Sequence, residues 1–128
     1  MGGLVRDHDE LEVFQCAFEA AMEVFELSKS FPKEATYSLT DQIRRSSRSV
    51  CANIAEAWRK RLYKRSFVSK LSDAQGEVAE TQVWLRFAAR CRYVDEGIVL
   101  QLGQQYDGIQ RSLAGMIRHA EKWCFAQN

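Results

Sequence analysis

Through four long stretches of this chain, apolar residues return every three or four positions, a spacing that becomes a continuous face only on an α-helix. In the first, about 9–29, Leu11, Phe14, Phe18, Ala21, Phe25 and Ser28 mark the stripe, and Val13, Ala17, Val24 and Leu27 widen it enough to touch two neighbours. The second, about 40–62, carries Ile43, Ser47, Val50, Ile54 and Trp58. The third, about 64–91, carries Phe67, Leu71, Ala74, Val78, Leu85 and Ala88, with Trp84, Phe87 and Cys91 as a second strip in its later half. The fourth, about 96–123, carries Ile98, Leu102, Ile109, Leu113, Met116 and Ala120. No useful length of the strict alternation that marks a strand breaks this pattern.

Local signals set the boundaries. Asp7 with Glu10 offers a capping pair at the start of the first helix. Phe31-Pro32 ends it, because proline disfavours helical geometry in the residue before it. A loop from Pro32 to Tyr37 follows, with Ser38 or Thr40 as N-cap of the second helix and Asp41 near the positive end of its dipole. Asp95 caps the fourth. Inside that helix Gly103, Gly108 and Gly115 each cost up to ~1 kcal/mol relative to alanine; close approach of a neighbouring helix and simple tolerance both account for them. At ~1.5 Å per residue the helices span roughly 30–40 Å. Short connections make consecutive helices antiparallel neighbours. The expected fold is therefore all-α, an antiparallel up-down-up-down four-helix bundle occupying residues 1–128 as one domain.

The composition excludes several function classes. With 46% hydrophobic and 27% charged residues in 128, the chain is globular rather than disordered. Nothing approaches the ~20 continuous apolar residues of a membrane span. The polar, acidic N-terminus lacks the basic start and apolar run of a secretory signal, so no membrane association and a cytoplasmic location are expected. Cys16, Cys51, Cys91 and Cys124 lie far apart, with no C-x-x-C pair and no nearby histidine, against zinc and against a disulfide framework. They read as buried, inert thiols. A di-iron bundle needs inward carboxylates and Glu-x-x-His pairs, and neither His8 nor His119 completes one. Glu56, Glu77, Glu80 and Glu121 read as solvated acids, and Ser46, Ser47 and Ser49 have no histidine in context to serve as base. No phosphate-binding or dinucleotide-binding glycine pattern occurs. No catalytic residue, no metal and no cofactor is expected: the chain does not read as an enzyme.

Charge is unevenly placed behind a net +1. From Met1 to Ser30, Asp7, Asp9, Glu10, Glu12, Glu19, Glu23 and Glu26 face only Arg6 and Lys29. From Thr40 to Lys70 nine bases face only Asp41 and Glu56. At ~100° per residue, Arg48, Arg59 and Arg45 fall within about 100° of Arg44, away from the arc of Ile43, Val50 and Ile54. Arg59, Lys60, Arg61, Lys64 and Arg65 then cluster at the helix end and the turn beyond. These eight cations suit a phosphate backbone, whose contacts with Lys and Arg release counterions. The same residues admit a plainer reading: cations favoured at a helix C-terminus, the i,i+4 pairs Asp41–Arg45 and Glu56–Lys60, or arginines anchoring a protein interface. Asn53 and Glu56 lie outside the main core stripe, free to bond a neighbouring helix or subunit or to stay solvated. Trp58, Trp84, Trp123, Tyr63 and Tyr106 belong mostly to the core, with some left for an interface.

The run Tyr37-Ser38-Leu39-Thr40-Asp41-Gln42-Ile43-Arg44-Arg45-Ser46-Ser47-Arg48-Ser49-Val50, continuing into Asn53-Ile54-Ala55-Glu56, resembles the four helix bundle protein family, also called the 23S rRNA intervening-sequence protein family. Phe31-Pro32-Lys33-Glu34 is similar to its helix-ending loop, and Phe67-Val68-Ser69-Lys70-Leu71-Ser72-Asp73-Ala74 and Glu80-Thr81-Gln82-Val83-Trp84-Leu85 resemble one of its branches. The resemblance covers about Leu11 to Trp123. It implies an antiparallel four-helix bundle that assembles with itself as a ring-like homopentamer. A related branch serves as accessory protein of diversity-generating retroelements, where a basic pentamer engages nucleic acid and the reverse transcriptase. The partners it implies here are further copies of the chain, and RNA, DNA or a nucleic-acid-bound protein. The motif residues carried over are Gln42, Arg44, Arg45, Asn53 and Glu56. Two departures stand out: Ala57 replaces the glycine that usually follows the Asn-Ile-Ala-Glu run, which moves the expected turn later, and the near-neutral charge differs from the strongly basic retroelement branch.

Overall fold

The computed structural model describes residues 5–125 and contains four long helices: α1 (Glu12–Ser28), α2 (Asp41–Arg59), α3 (Lys64–Arg90) and α4 (Glu96–Arg118). Among the described residues there is no strand. Each helix packs against its neighbours in sequence, and α1 closes on α4, so α1 and α3 occupy opposite corners. Cross-helix bonds show the directions. Arg45, early in α2, reaches Glu77 and Glu80, whereas Glu56, late in α2, reaches Lys70 near the start of α3. Gln82 donates to the Gly103 carbonyl at 3.3 Å, and Gln110, further along α4, donates back to the Gln75 carbonyl at 2.9 Å. Arg44 at the start of α2 meets Ser28 at the end of α1. Leu27 and Ile98 line one stretch of the α1–α4 groove, while Val13 and Met116 line another. Consecutive helices are antiparallel.

The stripes of α2 and α3 are buried as the periodicity predicts, including Ile43, Val50, Ile54 and Trp58 and all six inward positions of α3. Truncating one of these, Leu71 for example, removes contacts worth ~2–5 kcal/mol. Between these two helices Ser46 and Thr81 share a buried hydroxyl–hydroxyl bond of 2.8 Å, and Thr81 also donates to the Glu77 carbonyl at 2.9 Å. Both hydroxyls are thus bonded inside the core, which offsets the cost of burying them.

On α1 the expected stripe needs correction. Val13, Ala17, Ala20, Ala21, Val24 and Ser28 face inward, Phe14 and Phe25 lie half-buried at the edge, and Phe18 is 49% exposed. The alanines let α1 approach the bundle closely, which rotates the aromatic flank outward. In α4, Ile98 is 46% exposed and Val99 takes its inward place, with Tyr106 also inside.

Three boundaries also differ. The Asp7 carboxylate accepts the His8 N–H at 2.7 Å ahead of a short 3-10 turn (His8–Glu10), and α1 starts only after the extended Leu11. Beyond Pro32 there is no open loop: a 3-10 turn (Lys33–Ala35) and a wide π turn (Thr36–Thr40) run straight into α2. Thr40 is already helical, φ −56 and ψ −53, so neither it nor Ser38 caps, since a cap must leave helical geometry. The fourth helix breaks at His119 (φ −113, ψ 34), and a final turn, α5 (Ala120–Trp123), follows. Asp95 does cap α4, accepting the Gly97 N–H at 3.1 Å.

The glycines of α4 follow the tolerance account: a Cβ at Gly103 meets nothing within 4 Å, and those at Gly108 and Gly115 meet only arginine tips at 3.7 and 3.9 Å. The thiols are a correction as well. All four cysteines are free, but Cys16 and Cys91 are exposed and Cys51 and Cys124 half-buried. Cys16 lines the open α1–α4 groove and Cys91 lies past the last turn of α3, where the general tendency of thiols to be buried has nothing to act on. Among the described residues no helix is long and apolar enough to cross a membrane.

Candidate nucleic-acid interface

The eight cations do not form one stripe. Arg44 donates through Nε to Ser28 Oγ at 2.7 Å and lies over the Phe25 ring at 4.7 Å. Arg48 lies over the same ring, 5.7 Å from its centre. These two belong to the α1–α2 seam. Arg45 turns the opposite way, its guanidinium bonded to Glu77 at 3.3 Å and to Glu80, which also accepts the Trp84 indole N–H at 3.2 Å. The hydrogen bonds to Glu77 and Glu80 raise the Arg45 pKa above its ordinary value. Half-exposed, this fork contributes no more than ~1 kcal/mol. The i,i+4 pairs Asp41–Arg45 and Glu56–Lys60 are not formed. Close α2–α3 packing brings Glu77 and Glu80 to Arg45, and Lys70 to Glu56 at 2.8 Å, nearer than their own-helix partners.

The other cations surround the α2–α3 turn. Because Ala57 continues α2 where a glycine could end it, the helix runs to Arg59 and the turn falls at Lys60–Tyr63, closed by the Tyr63 N–H donating to the Lys60 carbonyl at 2.9 Å. Arg61 is taken into the fold. Its guanidinium stacks 3.4 Å from the Trp58 ring centre and 4.7 Å from that of Phe125, and its Nε donates to the Trp58 carbonyl at 2.8 Å. Burial lowers its pKa. Arg59, Lys60, Lys64 and Arg65 remain exposed. Arg59 stands 4.0 Å from Asp7 and Lys64 4.0 Å from Glu121, while Lys60 and Arg65 form no ion pair among the described residues. A shallow groove leads from Lys64 and Arg65 along Val68, Ser69, Ser72 and Asp73.

The motif residues bond mostly within the chain. Asn53 donates to the Ser49 carbonyl at 2.9 Å within its own helix, Glu56 holds Lys70, and Gln42 is half-buried. Ser46 bonds Thr81, and Ser47 donates to the Arg44 carbonyl at 3.2 Å. Among the described residues no group of three or more His, Cys, Asp or Glu could hold a metal ion. The acidic first helix becomes a defined surface, the flank where Glu19, Glu23 and Glu26 border the α1–α4 groove. The acid excess in the first thirty residues was its visible signal.

The family model described as 23S rRNA-intervening sequence protein matches residues 9–115. A crystal structure at 1.70 Å of a protein of unknown function from the S23 ribosomal protein family of Bacteroides thetaiotaomicron VPI-5482 is similar in fold, with a TM-score of 0.75. It is 28% identical over 83% of this chain and 95% of that one. No curated protein matches the chain.

Proposed function

The chain belongs to the 23S rRNA-intervening sequence protein family, and from that premise and the geometry above we propose a non-catalytic scaffold that assembles with copies of itself. In this reading the cationic turn between α2 and α3 is offered to a polyanion, RNA or DNA. One observation carries the polyanion part: Arg59, Lys60, Lys64 and Arg65 stand exposed around one turn, and among the described residues no ion pair shorter than 4.0 Å holds them. Arg44, Arg45, Arg48 and Arg61 are engaged within the chain and act as its fasteners. A ring of five copies, the assembly the family resemblance implies, would present five such turns and multiply a weak contact through effective concentration. The free thiols suit a reducing cytoplasm.

Titration of labelled RNA and DNA at 50 and 200 mM salt tests this. Four cations per chain predict a slope of log affinity against log salt of roughly −3 to −4 per engaged turn. Replacing Arg59, Lys60, Lys64 and Arg65 together by glutamate should abolish binding and leave the helical content intact. Absence of binding at the lower salt would reject the polyanion role. A second reading, a purely structural or protein-interaction oligomer whose cations meet acids of the next copy, draws on the acidic α1 flank. It predicts instead that the same fourfold variant loses its oligomeric mass.

A further inference from the structure

Two outward faces of the bundle carry apolar side chains that the fold leaves about half uncovered. On α1, Phe18 and Met22, one turn apart, are about half exposed, with Glu19 and Glu23 exposed beside them. On α3, Val83 and Phe87, also one turn apart, are about half exposed, with Arg86 and Arg90 exposed alongside. Toward the middle of α3 that face continues through Ala79 and Gly76, where a Cβ would meet nothing within 4 Å, so a second helix can approach closely. Neither acid of the first face nor either arginine of the second forms an ion pair among the described residues. Exposed apolar pairs rimmed by unpaired charge are the composition of an interface.

We propose that the α1 face of one copy of this chain packs against the α3 face of the next, Phe18 and Met22 against Val83 and Phe87, with Glu19 and Glu23 opposite Arg86 and Arg90. The charges select the occupant: an acidic apolar strip and a basic apolar strip of equal spacing complement each other, whereas each repels its own kind. Because α1 and α3 stand at opposite corners, the contact joins unlike surfaces of successive copies. Such head-to-tail contacts close into rings when the rotation permits, unlike the self-complementary contact of a twofold dimer. This inference rests on the self-assembling scaffold proposed above and names the surfaces that build it.

Light scattering on the full chain reads the outcome. The wild type should be oligomeric, and both Glu19→Lys/Glu23→Lys and Arg86→Glu/Arg90→Glu should fall to the mass of one chain. The fourfold charge exchange should regain the oligomer. Phe18→Asp and Phe87→Asp should each be monomeric, and mixing them should give a species of two chains, since each retains one sound face. All these positions are exposed, so circular dichroism and thermal unfolding should match the wild type and separate lost assembly from lost fold. An oligomer that ignores every variant overturns these faces and leaves the scaffold reading standing. A monomeric wild type overturns both. Monomeric variants that stay monomeric on mixing overturn the head-to-tail arrangement.

Discussion

Tyr106 carries its ring into the centre of the bundle, fully buried, and its hydroxyl has no partner among the described residues. Burial raises its pKa well above the ordinary phenol value. A buried polar group without a bond costs ~1–3 kcal/mol, while the ring itself fills the core. Tyr106→Phe should therefore raise the free energy of unfolding by about 1 kcal/mol in urea titrations; a loss of that size would show that the hydroxyl is bonded after all. The thiols make a second residue-scale test. Burial pushes the Cys51 thiol up to about 11, so little of it is thiolate at pH 8. Iodoacetamide should modify the exposed Cys16 and Cys91 at least about tenfold faster than Cys51, read by peptide mass spectrometry. Between the ordinary value of 9.0 and about 11 the unfolded chain gives up the Cys51 proton while the folded chain keeps it, so stability falls as pH rises through that window. Cys51→Ala should remove that part of the alkaline slope.

At the scale of the helices, α2 and α3 were legible because each carries one inward stripe, and 3.6-residue periodicity then fixes both the element and its buried side. α1 has two apolar arcs. The aromatic arc, Phe14, Phe18 and Phe25, reads as the stronger stripe from sequence, but the Ala-rich arc wins because small side chains allow closer packing. Periodicity sees a helix in either case and cannot choose between the arcs. The candidate interface was legible only in outline. A helical wheel places Arg44, Arg45 and Arg48 on one arc of α2, but it does not contain Phe25 or Glu77 and Glu80, which sit on other helices and divide the group. Asp95 was readable because a cap is local; Ser38 and Thr40 misled because the chain becomes helical just after Pro32. Helical glycine, finally, is a cost without a return at Gly103, where a Cβ meets nothing. Gly103→Ala should stabilise the bundle by up to about 1 kcal/mol in thermal unfolding; no gain would mean that a side chain is unwelcome there in the assembled protein.

At the scale of the whole molecule, one end of the bundle is shaped by residues from both ends of the chain. Trp58 is buried, its indole N–H directed at the Arg6 carbonyl at 3.5 Å, its ring edge-on to Trp123 with centres 6.1 Å apart. Arg61 covers Trp58, Phe125 covers Arg61, and the Phe125 N–H donates to the Arg61 carbonyl at 3.2 Å. The C-terminal turn thus clamps the segment on which Arg59, Lys60, Lys64 and Arg65 stand. Ending the chain at His119 removes α5 and Phe125, uncovers Trp58, and should lower stability by about 3 kcal/mol, from the buried apolar area of Ala120 and Trp123. Tryptophan emission should move to longer wavelength, and amide exchange should quicken at residues 60–63 before it changes in the middle of α2 and α3. Uniformly faster exchange would mean that the tail belongs to the global core and is no local clamp. The two consequences for polyanion binding then separate cleanly. Shortening the chain removes none of the four cations, so the salt slope should stay near its original value, set by their number. Affinity should fall, because cations on an unclamped turn must be ordered again each time they bind.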